Sequence, residues 1–170
     1  NKVIKVENNF IENLKKHLNK LKRIYFAGGE PLIMPEHLEI LKFVTDRELS
    51  LHLHYNSNLS TLKYKEESLF KYWNKIKETG TIYIAVSCDG LYDLGEYIRV
   101  GFNHKKFLKN IQKLKDNDIS YGIQFTVSTY NIFHIFETIE QFIELDIIKT
   151  TDDISFHYAW APDGISIKNL

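Results

Sequence analysis

Apolar residues recur along this chain in two alternating patterns. Segments with apolar positions three or four residues apart predict helices, and shorter runs rich in β-branched and aromatic residues predict strands. The predicted helices are residues 9–22, a segment that begins after Pro35, and residues 66–79, 103–117 and 131–146. The predicted strands are residues 24–27, 51–55, 81–86, 120–127 and 154–158. Helix–strand units repeated in this way are typical of right-handed crossovers that feed a parallel sheet.

The repeated units predict an α/β fold, with a parallel-stranded sheet in a single domain that spans residues 1–170. Two layouts satisfy the pattern: an open, doubly wound sheet, or a barrel-like sheet with helices on the outside only. The periodicity does not separate them. In both layouts, ligands bind at the carboxyl ends of the parallel strands, where the connecting loops converge.

Composition narrows the classes of function. The 170 residues include 22 Lys and Arg against 22 Asp and Glu, and 44% are hydrophobic, which argues against disorder. Balanced charge provides no general attraction for nucleic acid or an anionic membrane, so neither is expected as a partner. The single Cys excludes an internal disulfide and a metal site of four thiolates from this chain. No apolar run approaches roughly 18 residues, and residues 1–7 lack the apolar core of a signal peptide, so we expect a cytoplasmic protein.

The loop after the first predicted strand carries distinctive chemistry. Gly28 and Gly29 let the backbone approach a ligand closely and adopt torsions barred to other residues. Glu30 places a carboxylate suited to an ammonium group at the strand end, and Pro31 biases Glu30 toward an extended conformation. The segment lacks the spacing of a phosphate loop, and its acidic residue would repel phosphate.

These residues belong to a longer resemblance. Phe26-Ala-Gly-Gly-Glu-Pro-Leu32 resembles the Gly-Gly-Glu segment of radical S-adenosylmethionine (SAM) enzymes, which follows the second strand of a partial (βα)6 barrel. Further similar segments, in family order, are His54-Tyr-Asn-Ser-Asn-Leu-Ser60, Ala85-Val-Ser-Cys-Asp-Gly90, Tyr97-Ile-Arg99, Thr126-Val-Ser-Thr-Tyr-Asn131 and the exit from His157 to Pro162. The resemblance implies a TIM-like partial (βα)6 barrel, here missing its first strand. It points to the branch with a twitch or SPASM extension.

The resemblance also implies a site for the methionyl end of SAM. Gly28, Gly29 and Glu30 inherit the role of holding the methionyl amino group, with Pro31 beside them. Ser87 and Arg99 match positions that bind the methionyl carboxylate or the ribose. The permanent charge and forked donors of a guanidinium suit a carboxylate.

The remaining positions implied by the resemblance surround the nucleoside and the substrate. Asn56 and Asn58 match residues that can bond ribose hydroxyls, although Asn after a strand is also a common turn former. Asp89 is a further candidate for the cofactor site. Thr126, Ser128 and the backbone around Tyr158 and Ala159 are expected to frame the adenine. Residues expected to face the substrate are His52, His54, Asp89, Tyr92 and His157.

One family feature is missing from the sequence. Radical SAM chemistry uses a [4Fe-4S] cluster bound by three Cys in a C-x3-C-x2-C motif, but the only thiol here is Cys88, in another segment. We expect a fragment that lacks the first strand and the cluster loop, with residues 163–170 leading into a missing C-terminal segment. The alternative is a complete but degenerate module that binds SAM without catalysis.

For the intact protein, the resemblance implies reductive cleavage of SAM to a 5′-deoxyadenosyl radical. That radical would abstract hydrogen from a small-molecule or peptide substrate, after electron delivery by a donor such as a flavodoxin or ferredoxin. This chain alone, without the ligands of the cluster, is expected to be inactive.

Two other readings of the residues stay open. His52 and His54 share one face of a strand and, with His157 and Asp89, would form a zinc hydrolase site. Cys88 would be a nucleophile if its thiolate were accessible, although the flanking carboxylate disfavours that form. Separately, Phe133, Phe136 and Phe142 lie at helical spacing and are expected in the core.

Overall fold

The computed structural model describes residues 9–169, and residues 1–8 and Leu170 lie outside the described part. The helices and strands, in chain order, are α1 (Phe10–Lys15), β1 (Arg23–Phe26), α2 (Pro35–Asp46), β2 (His52–Ser57), β3 (Lys63–Tyr64), β4 (Glu67–Ser68), α3 (Phe70–Ile76), β5 (Thr81–Ser87), α4 (Tyr92–Ile98), α5 (His104–Asp116), β6 (Ser120–Val127), α6 (Ile135–Glu144) and β7 (Ile154–Tyr158). Short 3₁₀ turns connect several of these elements. None of the described helices has the length and apolarity needed to cross a bilayer.

The main sheet settles the layout that the periodicity left open. It contains five strands in the order β1-β2-β5-β6-β7, and each neighbouring pair is parallel. A doubly wound sheet reverses its strand order at a switch point, whereas this order simply follows the chain. Right-handed crossovers in one direction place the helices on one face of the sheet, which is the arrangement of a barrel wall. The fold is therefore an α/β partial barrel, as the sequence predicted.

Alternate residues of the central strands β2, β5 and β6 form the core against the helices. Leu53 and Tyr55 on β2 and Ile82 and Ile84 on β5 are buried on this side of the sheet. The hydroxyl of Tyr55 accepts a hydrogen bond from Nε1 of Trp73 at 3.2 Å. This core packing holds the parallel strands in register, so that their carboxyl ends lie along a common edge.

The opposite, concave face of the sheet is largely polar. The ring of His54 lies between Tyr25 and Tyr83, with centroid separations of 4.9 and 5.0 Å. Burial lowers the pKa of His54, and the nearby charge of Arg23 lowers it further. This face therefore differs in chemistry from the helix-packed face.

The local predictions were accurate for most strands and less so for some helices. The helix predicted over 9–22 is only the short α1, followed by a 3₁₀ turn at Leu18–Lys20. The helix predicted over 66–79 shortens to α3, because residues 63–68 form the β3–β4 hairpin. Helix α4 was not predicted. Phe142 is buried as expected, but Phe133 and Phe136 are 84% and 83% exposed, so the prediction that they lie in the core was wrong.

Candidate functional site

The Gly-Gly turn leaves β1 at the carboxyl edge of the sheet. Gly28 and Gly29 have φ angles of +87° and +56°, conformations that glycine adopts without the penalty of a side chain. A Cβ built on either residue would meet no atom within 4 Å. Open space therefore adjoins this backbone, which makes it approachable by a ligand.

The carboxylate of Glu30 is fixed to the end of β2. Its Oε1 accepts hydrogen bonds from Ser57 Oγ at 2.8 Å and Leu32 N at 3.2 Å, and its Oε2 accepts one from Asn58 N at 2.8 Å. A carboxylate offers about four acceptor positions, so these three donors leave one position for a further donor. Whether an ammonium group occupies that position, as the sequence-based expectation has it, stays a prediction.

Asp89 and Arg99 form an ion pair beyond the end of β5. Arg99 Nε donates to Asp89 Oδ2 at 2.7 Å, while Thr126 N donates to Asp89 Oδ1 at 2.7 Å. The Asp89 side chain is 7% exposed and that of Arg99 is 31% exposed. Within residues 9–169, the two terminal nitrogens of Arg99 make no hydrogen bond, so they are available to an anion.

Asn131 joins the ends of β5 and β6. It is fully buried, and its Nδ2 donates to the carbonyl oxygens of Asp89 at 3.0 Å and Thr126 at 2.9 Å. Its Oδ1 accepts a hydrogen bond from Ser128 N at 2.8 Å. We did not single out Asn131 as a site residue from the sequence. The only sign of its role in the sequence was its position at the end of the segment Thr126-Val-Ser-Thr-Tyr-Asn131, which begins in β6.

A cavity connects the loop after β2 with the segment around Arg99. It has a volume of about 170 Å³ and is lined by residues 58–60, 99–103, 106 and 107. Asn58 thus lines the cavity together with Arg99, while its backbone N–H binds Glu30. Asn58 therefore links the end of β2 that holds Glu30 to the cavity that Arg99 lines, although Gly28, Gly29 and Glu30 do not themselves line it.

The other predicted site residues also lie along this edge. Asn56 is on the concave face, and its buried Oδ1 has no hydrogen-bond partner among residues 9–169. Ser87 is partly buried at the end of β5. Thr126 and Ser128 lie at the exit of β6, where the Ser128 backbone bonds Asn131.

Tyr158 and Ala159 lie at the end of β7, beside the end of β6. Tyr158 pairs with the buried Val127, so its side chain lies on the helix-facing side of the sheet, where it is 53% exposed. The backbone N–H of Ala159 donates to Val127 at 2.9 Å. Residues 163–169 fold back on the β6 exit, where Thr129 N donates to Ile165 O at 3.1 Å.

The structure does not support a zinc site or a reactive thiol. The described residues 9–169 contain no group of three or more His, Cys, Asp or Glu side chains placed to hold a metal, so His52, His54, His157 and Asp89 do not converge. Cys88 is fully buried and its Sγ donates to Gly90 O at 3.3 Å. Burial raises the pKa of the thiol to about 12, which disfavours the nucleophilic thiolate.

The protein is a partial barrel with a glycine-rich turn at the carboxyl edge of its sheet. Comparisons with known proteins assign the chain to a family. Residues 3–146 match the model of the radical SAM superfamily, and the chain belongs to that superfamily. Members of the superfamily are enzymes.

Individual relatives support this assignment. The AdoMet-dependent heme synthase of Methanosarcina barkeri (strain Fusaro / DSM 804) is 30% identical over 129 residues, which cover 74% of this chain and 34% of the synthase. Native anSMEcpe with bound AdoMet has a similar fold, with a TM-score of 0.69, 18% identity, and coverage of 91% of this chain and 43% of that chain. SuiB of Streptococcus suis aligns with a TM-score of 0.65 and 13% identity over 92% of this chain and 35% of SuiB. The chain thus spans about a third to two fifths of the length of these relatives.

The described residues fit SAM better than they fit an iron–sulfur cluster. The open space beside Gly28 and Gly29 and the unpartnered Oδ1 of Asn56 leave room and an acceptor for a polar ligand. A [4Fe-4S] cluster is held by Cys thiolates, and the single Cys of the sequence is buried and protonated at neutral pH. The residues present therefore do not fit the cluster.

Proposed function

We propose that this chain binds SAM at the carboxyl edge of the sheet, with the methionyl end between the Gly-Gly-Glu turn and Arg99. The observation that carries the proposal is the position of Asn58, which bonds Glu30 and lines the same cavity as Arg99. In the intact protein, we propose that SAM supplies a 5′-deoxyadenosyl radical for hydrogen abstraction from a substrate.

The ammonium and carboxylate groups of an amino acid each have a complementary charged side chain in this arrangement. The remaining acceptor position on the Glu30 carboxylate suits the ammonium group, and charge-assisted hydrogen bonds of this kind are short and strong. The terminal nitrogens of Arg99 suit the carboxylate as a paired donor. Gly28 and Gly29 carry no side chains, so the backbone that leads to Glu30 stays open to a ligand.

The nucleoside is proposed to extend along the strand ends. Asn56 Oδ1 needs a donor, and a ribose hydroxyl supplies one. Asn58 and Ser87 are the other hydroxyl-binding candidates, whereas Thr126, Ser128 and the Tyr158 backbone are proposed to frame the adenine. The substrate, a small molecule or a peptide, is proposed to approach along the concave face that carries His54.

A second candidate function is SAM binding without catalysis. The count of one Cys favours it for this chain, since no cluster can be assembled from its own thiolates. Iron content of the intact protein after anaerobic reconstitution separates the two: stoichiometric iron at four per protein supports the enzyme, and its absence supports the binding module.

Calorimetric titration of the purified protein with SAM under anaerobic conditions tests the proposed site. The comparison ligand is 5′-methylthioadenosine, which keeps the nucleoside and the methyl-bearing sulfur but lacks the amino-acid group and the positive charge of the sulfonium. Arg99→Gln should weaken SAM binding roughly 10- to 100-fold, the loss expected for a hydrogen bond between charged groups. The same variant should change binding of the comparison ligand less than about two-fold.

The glycine turn is tested in the same way. Gly29→Ala should weaken SAM binding at least about 10-fold, because its Cβ would enter the open space beside the turn. Gly164→Ala is the control for a methyl group added to open space, and the melting temperature of Gly29→Ala is measured as well, because a side chain at its φ of +56° also strains the backbone. Unchanged SAM affinity in both Arg99→Gln and Gly29→Ala would contradict the proposed site.

A further inference from the structure

We propose that Asp89, held by Asn131, is a positioning residue that aims Arg99 at the ligand and does not touch the ligand itself. The proposal rests on the proposed SAM site, since it assigns how the carboxylate-binding side chain is fixed there. It differs from the sequence-based expectation, in which Asp89 was a direct ligand contact.

Both oxygens of the Asp89 carboxylate already have protein partners. One accepts the Thr126 backbone N–H and the other accepts Arg99 Nε, each at 2.7 Å. The carboxylate is also nearly buried, so a ligand has little access to it. Its charge is opposite to that of Arg99 and the same as that of a ligand carboxylate, which further disfavours direct contact.

The ion pair restrains Arg99 in a specific way. Binding at Nε restrains the side chain up to the guanidinium group and leaves the two terminal nitrogens without a hydrogen bond among residues 9–169. A long Arg side chain loses rotamer entropy when it is ordered. If Asp89 orders it in advance, ligand binding does not carry that cost.

Asn131 supplies the rigid support for Asp89. Its side-chain amide bonds the backbone carbonyl of Asp89 and that of Thr126, the residue whose N–H holds the Asp89 carboxylate. Two sets of hydrogen bonds therefore connect the ends of β5 and β6. One involves the side chain of Asp89, and the other involves its backbone carbonyl. Asn131 is itself fully buried, so its position is fixed by its surroundings.

Asp89→Asn tests the proposal with little change in shape. The Asn oxygen can still accept from Thr126 N, but its amide group then faces the Arg99 N–H, so the link to Arg99 is lost. We expect SAM affinity to fall about 10-fold and 5′-methylthioadenosine affinity to change less than two-fold. Since both variants disrupt one interaction, Asp89→Asn combined with Arg99→Gln should bind SAM no more weakly than Arg99→Gln alone.

Asp153→Asn is the control for loss of a carboxylate that binds backbone N–H groups next to a strand. Asp153 Oδ2 accepts two such groups, from Lys149 and Thr150, but Asp153 precedes β7 at the other edge of the sheet. The Asp153→Asn variant should have lower thermal stability than the unmodified protein and an unchanged ratio of the two ligand affinities. Asn131→Ser should shift that ratio in the same direction as Asp89→Asn.

Three outcomes overturn parts of the inference separately. Additive losses in the double variant would show that Asp89 acts independently of Arg99. Equal losses for both ligands in Asp89→Asn, or in Asn131→Ser, would remove that residue from the positioning role. If Arg99→Gln itself does not discriminate between SAM and the comparison ligand, the proposed function fails instead.

Discussion

A buried histidine beneath the site makes the stability of this fold depend on pH. His37 on α2 is 2% exposed, and its Nε2 lies 3.1 Å from the hydroxyl of Tyr55. Because Trp73 Nε1 can only donate to that hydroxyl, the Tyr55 proton is available to His37 Nε2. The imidazole is then neutral, with its proton on Nδ1, an atom that is buried and has no partner within residues 9–169.

Burial sets the direction and size of the effect. It lowers the pKa of His37 from 6.5 to about 4 in the folded protein. Between those values the unfolded chain binds a proton that the folded chain does not, so the free energy of unfolding decreases as the pH falls from 6.5 to 4. The full difference in pKa corresponds to about 3 kcal/mol, which is present above pH 6.5 and lost below pH 4.

Urea denaturation at several pH values between 7.5 and 4 measures this contribution, about 3 kcal/mol over the range. His37→Leu should be less stable at pH 7, by roughly 1–3 kcal/mol, because Tyr55 loses its acceptor. Its stability should nevertheless fall less steeply toward low pH than that of the unmodified protein. His17→Gln, a change at an exposed histidine, should retain the original slope. Identical slopes in His37→Leu and the unmodified protein would refute the reasoning.

Three further predictions follow from burial and contact distances. Native protein at pH 8 should react with a thiol reagent far more slowly than denatured protein, because burial raises the pKa of Cys88 to about 12; rapid labelling of the folded state would contradict this. Gly80→Ala should lower the melting temperature by several degrees, since its Cβ would lie 2.1 Å from the backbone oxygen of Leu51, and an unchanged melting curve would count against that contact. Phe142→Ala should cost about 3–5 kcal/mol in urea denaturation, whereas Phe136→Ala should cost less than about 0.5, and equal losses would contradict the assigned exposures.

β2, β5 and β6 were predictable because each is buried on its helix-facing side, whereas β1 has no fully buried residue and β7 buries only Ile154. β5 and β6 follow the predicted boundaries within a residue, since runs such as Thr81–Ser87 are rich in β-branched and aromatic residues. α4 escaped prediction because Gly95 lies inside it, and glycine is a poor helix former. The fold requires that glycine: a Cβ there would lie 2.3 Å from Gly90 O.

Exposure and pairing were harder to predict than secondary structure. A helical period places Phe133, Phe136 and Phe142 on related faces, but it does not state which face a neighbouring element covers. Likewise, the sequence placed Asp89 and Arg99 near a ligand edge, but only the fold shows that they bind each other. Asn131 lies 42 residues from Asp89 in sequence, so no local pattern predicts their contact.

The register of β2 links the core to the chemistry of the site. Ser57 lies on the buried side of the strand and donates to Glu30, whereas Asn56 lies on the concave side with an unpartnered Oδ1. A shift by one residue would exchange the faces of these two side chains, so the Glu30 contact and the free acceptor would be lost together. Leu53 and Tyr55 prevent that shift, because it would bring both buried side chains to the polar face. The hydrophobic pattern that predicts the strand is therefore also what places its two terminal polar residues on opposite faces.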